Sequence, residues 1–247
     1  MAAHFPAWLH VLALASLALA LACALIIAAD EAVRRQQMWI MNLVWPLCAL
    51  FGSLLWLIFY FRFGRGMRRE RIEPPQKHAH HMAPPFPIAV AKSTSHCGAG
   101  CTLGDIIAEW LAFAVPAVAV AFGWKSLFGE KTFAVWIFDF ILAFVLGIAF
   151  QYFTIQPMRH LSAMRGLVEA LKADAASITA WQIGMYGFMA FAQFAWFAQA
   201  FGGEARVDTP EFWFAMQIAM LCGFATSYPV NWLLIRLGVK EEMLSSQ

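Results

Sequence analysis

The stretch STSHCGAGCTLGDIIAEW, residues 93–110, places a histidine, two cysteines and two acids at the start of an apolar run. That run continues to residue 122, and about 20 apolar residues of helix are enough to cross a bilayer. Thiols and carboxylates at the mouth of a membrane helix suit a soft-metal site or redox chemistry. The same residues are also compatible with an unusual helix start.

The composition indicates a membrane protein with several spans. Of the 247 residues, 62% are hydrophobic and 13% are charged, whereas a soluble domain carries about 25% charged residues. The mean hydropathy is +0.64. A formal net charge of +2 is too small for a nucleic-acid-binding surface, and five cysteines, an odd number, argue against a disulfide scaffold.

Six segments are apolar enough for membrane-spanning helices, the form that satisfies every backbone polar group in lipid. They cover residues 7–29, 38–61, 103–122, 132–155, 178–200 and 211–235. The sequence therefore predicts an all-α integral membrane protein with six transmembrane helices. Twelve Lys and Arg residues fall on one side of this arrangement and five on the other. The excess predicts that both termini face the cytoplasm (N-in/C-in), with the protein in the cytoplasmic (inner) membrane.

The segment 62–92 divides the predicted helices into two groups. Residues 1–61 are expected to form a two-helix transmembrane hairpin. Residues 62–92 form a basic cytoplasmic linker that contains Pro and His, and residues 93–247 form a four-helix unit with the Cys-x3-Cys motif. The basic side chains of the linker suit the anionic headgroups of the lipid bilayer.

The two cysteines belong to a longer series, because Cys97, Cys101, Asp105 and Glu109 recur every four residues. In a helix they form one slanted ridge about 18 Å long. On the cytoplasmic side thiols stay reduced, and a helix N-terminus favours their thiolate form. Two thiolates with His96 as a third ligand suit Cu(I) best, with Zn(II) as the second choice.

A simpler reading treats part of this motif as a helix cap. Thr102 followed by Asp105 fits the pattern of a hydroxyl with an acid three residues later. This explains those two residues well. It explains neither the cysteine pair nor Glu109.

Other polar groups inside the predicted spans are candidates for a pathway. Asp139 lies within the apolar run WIFDFILAF, and a buried acid there is costly unless it has a role. Asp105, Glu109 and Asp139 are therefore expected to line a cation path or to couple protons. The alternative is that they are protonated and only bond to a neighbouring helix. Weaker metal-binding candidates are His78, His80, His81, Met185, Met189, Met216 and Met220.

The pattern His-Cys-x-x-Gly-Cys-x-x-Gly-Asp over residues 96–105 resembles the bacterial membrane family catalogued as domain of unknown function 4396. Supporting stretches are LGIAFQYFTIQPMRHLSA at 146–163, LKADAASITAWQI at 171–183 and SYPVNWLLIRLG at 227–238. The resemblance covers residues 93–240. It implies a small helical membrane domain carrying this cysteine pair, and it implies no activity.

Three functions remain open from the sequence. The favoured one is a membrane protein that binds and transports Cu(I) through Cys97 and Cys101, with a cytoplasmic metallochaperone as partner and a homo-oligomer as an alternative to a single chain. The second is a membrane thiol-disulfide oxidoreductase that uses the same pair. The third is an assembly or scaffold subunit. The sequence contains no phosphate-binding loop, zinc-protease helix or nucleophile elbow, so a transport or binding protein is favoured over an enzyme.

Overall fold

The computed structural model describes residues 3–36, 38–68, 85–159 and 162–240, and they are almost entirely helical. Within these ranges the helices are α1 (Ala7–Val33), α2 (Met41–Phe59), α3 (Phe86–Ala114), α4 (Pro116–Ala121), α5 (Lys131–Arg159), α6 (Ala163–Ala190), α7 (Ala198–Phe201) and α8 (Pro210–Arg236). π-helical segments continue α2 over Tyr60–Gly64 and α6 over Phe191–Phe197, and the two-residue strands β1 (Arg34–Arg35) and β2 (Met67–Arg68) pair antiparallel. The prediction of an all-α protein is confirmed.

Five segments of the described chain are long and apolar enough to cross a membrane, by length and composition. They are Ala7–Val33, Met41–Gly64, Phe86–Ala114, Lys131–Ile155 and Pro210–Arg236. This set is consistent with a multi-pass membrane protein. Helix α6 is outside the set, and its first half carries Glu169, Lys172 and Asp174.

Contacts between α1 and α8 define one end of the helix bundle. His10 Nδ1 lies 2.7 Å from Glu211 Oε1, and the Ser16 hydroxyl donates to Gln217 at 2.7 Å. Helices α1 and α8 therefore run parallel and begin at the same end. The loop before α8 contains Glu204, and we name this the Glu204 end.

The opposite end is formed where α3 begins and α8 finishes. The Tyr228 hydroxyl of α8 donates to the Pro87 carbonyl of α3 at 3.2 Å, and Phe86 packs on Trp232 with ring centroids 4.7 Å apart. The described part of the chain ends here, at Lys240, shortly after α8. We name this the Lys240 end.

Helix α2 is bent back on itself at Ser53, where the backbone has φ 44° and ψ −124°. On either side of this break, Phe51 packs on Trp56 with ring centroids 4.9 Å apart, and Trp45 packs on Tyr60 at 5.7 Å. In both contacts the two residues lie at nearly equal distances along the chain before and after residue 53, so the two halves run antiparallel. The segment is therefore a helical hairpin.

Both arms of this hairpin return to the Lys240 end. The Tyr60 hydroxyl donates to Asp30 Oδ2 at 2.9 Å, close to where α1 finishes, and Arg65 pairs with Asp30 at 2.6 Å. Trp39, just before the hairpin, packs on Phe153 near the end of α5. The single helix predicted over 38–61 is thus replaced by a re-entrant hairpin. Hydropathy over 24 residues does not distinguish one full span from two half-length helices that enter and leave at the same end.

Helix α3 also differs from its predicted bounds of 103–122. It begins at Phe86, 17 residues earlier, and finishes at Ala114. Its polar first half is buried against protein, where side chains such as Thr94 donate to their own helix, here to the Val90 carbonyl at 2.9 Å. Pro116 lacks an amide hydrogen and restricts Val115, which explains the early finish.

Candidate functional site

The predicted ridge on α3 lies inside the helix bundle. Its members are almost fully buried: Cys97 and Cys101 are 0% exposed, Asp105 is 1% exposed and Glu109 is 6% exposed. Because α3 is regular helix through all four residues, the ridge rises about 18 Å along the axis. It leads from the Lys240 end toward the Glu204 end.

The explanation of this motif as a helix start is wrong. The Thr102 hydroxyl donates to the Gly98 carbonyl at 2.7 Å, one turn earlier in the same helix. Thr102 therefore caps nothing. The first turn of α3 is at Phe86, so the stabilisation of thiolates by a helix N-terminus is also absent at Cys97.

Cys97 belongs to a fully buried polar cluster between α3, α6 and the chain after α8. Its Sγ lies 3.2 Å from Asp174 Oδ1 and 3.0 Å from Ser177 Oγ, and it accepts from Lys240 Nζ at 3.2 Å. Asn231 of α8 completes the group through its Nδ2, which donates to Ser177 Oγ at 2.6 Å. We name Cys97, Asp174, Ser177, Asn231 and Lys240 the Lys240 cluster.

The ammonium of Lys240 is held at the centre of this cluster. It donates to Asp174 Oδ1, to Asn231 Oδ1 at 2.7 Å and to Cys97 Sγ. Burial by itself lowers the pKa of Lys240, but the negative charge of Asp174 and the Cys97 sulfur outweigh it, so the pKa of Lys240 is raised above its ordinary value. Lys240 is therefore a buried cation.

His96 does not share a site with the two thiols. Its Nε2 lies 2.9 Å from Thr154 Oγ1 of α5, whereas Cys97 faces Asp174 of α6. Its Nδ1 has no hydrogen-bond partner within the described ranges. Among the described residues, no group of three or more His, Cys, Asp or Glu side chains lies close enough together to hold a metal ion.

The next pair of acids along the ridge lies between α3 and α5. The carboxyl groups of Asp105 and Asp139 interact with each other, and the Tyr186 hydroxyl lies 3.0 Å from Asp139 Oδ2. Apart from Asp139, the described residues offer neither Asp105 oxygen a hydrogen-bond partner. Two buried carboxyl groups this close cannot both ionise at low cost, so the pair is suited to hold one proton or one cation.

Glu109 ends the ridge at a cavity near the Glu204 end. The cavity has a volume of about 330 Å³ and is lined by Glu109, Lys131, Glu204 and Arg206 among others. Glu204, in the loop between helices, is half-buried, and burial together with the charge of Glu130 raises its pKa. The ridge therefore has one end at the Lys240 cluster and the other at a polar cavity.

The four methionines of the sequence prediction are all buried. Met185 and Met189 pack in the core of α6. Met216 and Met220 of α8 line a mostly apolar cavity of about 180 Å³ that Asp105 also borders. His78, His80 and His81 lie outside the described residues.

The sequence reasoning missed Asp174, Ser177 and Asn231 as parts of one site, and it used Lys240 only as a marker of orientation. Asp174 had an available signal, since it is an acid among small residues in LKADAASITAW. Lys240 had no such signal in the sequence, because its place in the bundle results from the turn after α8. Cys48 lies in the hairpin with its Sγ 3.1 Å from the Ser95 carbonyl.

Comparison with known proteins identifies one family. The family model described as Domain of unknown function (DUF4396) matches residues 89–240, well over half of the chain. The match includes α3, α5, α6 and α8, together with every member of the ridge and of the Lys240 cluster. No curated protein and no solved structure matches the chain.

Proposed function

The chain belongs to the family described as domain of unknown function 4396, and we propose that it is a membrane protein that transports a cation along the polar ridge of α3. The observation that carries this proposal is the continuity of the ridge. Four buried side chains, two thiols and two carboxyls, connect a polar cluster at one end with a polar cavity at the other. Ionisable groups inside a membrane domain are costly and mark ion or proton pathways.

The Lys240 end is proposed to face the cytoplasm of a bacterial cell, in its cytoplasmic membrane. Of the fourteen Lys and Arg in the described ranges, only Lys125, Lys131 and Arg206 belong to the Glu204 end. The other eleven are on the side of the Lys240 end, as the positive-inside rule requires of a cytoplasmic face. Because α2 is re-entrant, the start of α1 is then outside, in place of the N-in/C-in arrangement. The crossing helices in this proposal are α1, α3, α5, α6 and α8.

The proposed cargo is Cu(I). Cys97 and Cys101 are one turn apart, a spacing at which side chains are about 5–6 Å apart and can reach one ion. Thiolate and thioether sulfur select Cu(I), and Met216 and Met220 border the cavity beside Asp105. His96 points to α5 and is left out of this proposal. Without it, a closed zinc site of four ligands is harder to build, so Zn(II) is the weaker choice.

The positions of the thiols argue against the oxidoreductase. Both are 0% exposed, so a redox partner has no access to them in this conformation. On a regular helix, side chains four residues apart also point in parallel, which is poor geometry for a disulfide.

The proposal is tested by metal content and by flux. Protein purified without oxygen is expected to hold about one equivalent of Cu(I) and to carry it into proteoliposomes. Cys97→Ser and Cys101→Ser should lose both properties. Asp105→Asn should keep binding and lower the flux by about tenfold, which corresponds to about 1.4 kcal/mol.

Two variants serve as matched controls. Cys23→Ser removes a buried thiol on α1, and Asp208→Asn removes an exposed acid that pairs with Arg206. Both should behave like the wild type. Protein without bound copper and without flux, but with a reversible disulfide between Cys97 and Cys101, would establish the oxidoreductase instead. Protein with neither bound copper nor a reversible disulfide between these cysteines would leave the scaffold.

A further inference from the structure

The chain after α8 folds back and inserts a lysine into the bundle. It turns at Gly238, which has φ 69°, and the Lys240 side chain then enters between α3, α6 and α8. Lys240 is 2% exposed, and the Asp174 carboxyl that pairs with it is 0% exposed. A charged side chain from the end of a helix thus reaches the start of the ridge.

The groups around this ammonium are those of a cation site. They provide the Asp174 carboxylate, the Asn231 amide oxygen and the Cys97 sulfur, all within contact of Lys240 Nζ. Carboxylate and amide oxygens bind hard cations, and a thiol adds affinity for soft ones. Ser177, within 3.0 Å of the Cys97 sulfur, adds a hydroxyl oxygen to the same group.

We propose that Lys240 is a tethered cation that occupies the cytoplasmic end of the transport path, and that a monovalent metal ion binds there when the ammonium leaves. This inference rests on the proposed function. While Cys97 keeps its proton, a monovalent ion replaces one positive charge by another, so the net charge of the site is unchanged by the exchange. A divalent ion leaves one extra positive charge in a buried site, which is expensive.

Among the described residues, the backbone hydrogen bonds that hold Lys240 in place belong to one turn after α8. Its backbone is attached through the amides of Val239 and Lys240, which both donate to the Leu234 carbonyl at 3.0 Å and 3.2 Å. A turn that follows the end of a helix opens at a low free energy compared with a packed helix. Lys240 can therefore act as a gate without rearrangement of α3, α6 or α8.

The first test uses the wild-type protein in detergent under reducing conditions, with Ag(I) as the monovalent soft ion. Lys240 is modified with acetic anhydride and its modification is measured by mass spectrometry. Lys240 should be protected without Ag(I) and at least about tenfold more reactive at saturating Ag(I), a factor that corresponds to about 1.4 kcal/mol. Lys172 on α6, which is exposed, should react equally in both conditions. Saturation with Ag(I) that leaves Lys240 protected would overturn the inference.

The second test removes the tethered charge. Lys240→Met keeps a long side chain without the ammonium, so its unfolding temperature should rise with Ag(I) at concentrations at least about tenfold lower than for the wild type. In the double variant Lys240→Met with Asp174→Asn this gain should disappear, and Lys172→Met should match the wild type. Equal Ag(I) dependence in the single and double variants contradicts the inference.

The two proposals fail in distinguishable ways. If Ag(I) displaces Lys240 but no ion crosses proteoliposomes, the site exists and the transport function is wrong. If ions cross while Lys240 stays protected under turnover, transport is right and the tethered-cation inference is wrong.

Discussion

Asp174 and Lys240 carry opposite charges at a place where neither reaches water. A buried pair gains stability only while both partners are present, because removal of one leaves the other charged and desolvated. The pKa of Lys240 is raised, so its ammonium contributes fully at pH values below the ordinary lysine pKa. The part of this contribution that depends on the Lys240 ammonium is lost as the pH rises through the raised value.

The variant Asp174→Asn is expected to lower the free energy of unfolding by about 3–5 kcal/mol, the usual cost of breaking a buried pair. Unfolding in mixed detergent micelles measures this change. Adding Lys240→Met to Asp174→Asn should recover most of the loss, since it removes the orphaned ammonium. Lys172→Met removes an exposed pair with Glu169 and should change the free energy by less than about 1 kcal/mol. A stable Asp174→Asn protein would show that the pair is not formed.

Packing between α3 and α5 depends on small residues that repeat every four positions. A Cβ atom added at Gly100 would lie 2.6 Å from the Gly147 Cα, and one at Gly104 would lie 2.7 Å from the Ala143 Cα. These obstacles are backbone atoms, which do not move aside as a side chain does. Gly100 and Gly104 with Ala143 and Gly147 form the small-xxx-small pattern of close membrane helix pairs. The glycines of the cysteine motif therefore serve helix packing.

Gly104→Ala should destabilise the protein by about 1–3 kcal/mol, because the added methyl group pushes α3 away from α5. It should also weaken the Asp105–Asp139 contact, since Asp105 is the next residue on α3. The unfolding temperature and cation flux report on these two effects. Gly187→Ala on α6 is the matched control, as a Cβ there meets nothing within 4 Å. If both variants melt at the same temperature, the close approach of α3 and α5 is incorrect.

At the scale of the whole molecule, the re-entrant hairpin sets which residues share an end of the helix bundle. Its tip packs in protein, with Phe51 on Trp181 and the Trp56 Nε1 donating to Ser95 Oγ at 3.1 Å. This burial is the condition under which a broken helix is tolerated at membrane depth. The hairpin places residue 39 at the Lys240 end, opposite the loop that contains Leu127.

Introduced cysteines at two exposed positions distinguish the re-entrant hairpin from six straight spans. Trp39→Cys should be labelled by a membrane-impermeant thiol reagent only after the cells are opened, whereas Leu127→Cys should be labelled from outside. Six straight spans place both positions on the same face. The parent protein, in which Cys23, Cys48, Cys97 and Cys101 are buried, gives the background. Equal labelling of both positions in intact cells contradicts the hairpin.

Local properties of the chain were enough to predict the helical membrane class, the family and the ridge of α3. Long apolar runs and a four-residue repeat are both visible along the sequence, and helix geometry converts them directly into spans and faces. The start of α3 was not predictable in this way. The polar residues 93–102 look like a loop unless the protein that buries them is known.

Tertiary contacts alone established the hairpin at Ser53 and the insertion of Lys240. Both depend on pairs of residues far apart in the chain, such as Asp30 with Arg65 and Cys97 with Lys240. Hydropathy is an average over residues that are neighbours in the sequence, so it contains no information about such distant pairs. The sequence thus determined that the protein has helices long and apolar enough to cross a membrane and which face of α3 is polar. Long-range packing decided where that face begins, what cation it meets there, and where the chain turns back.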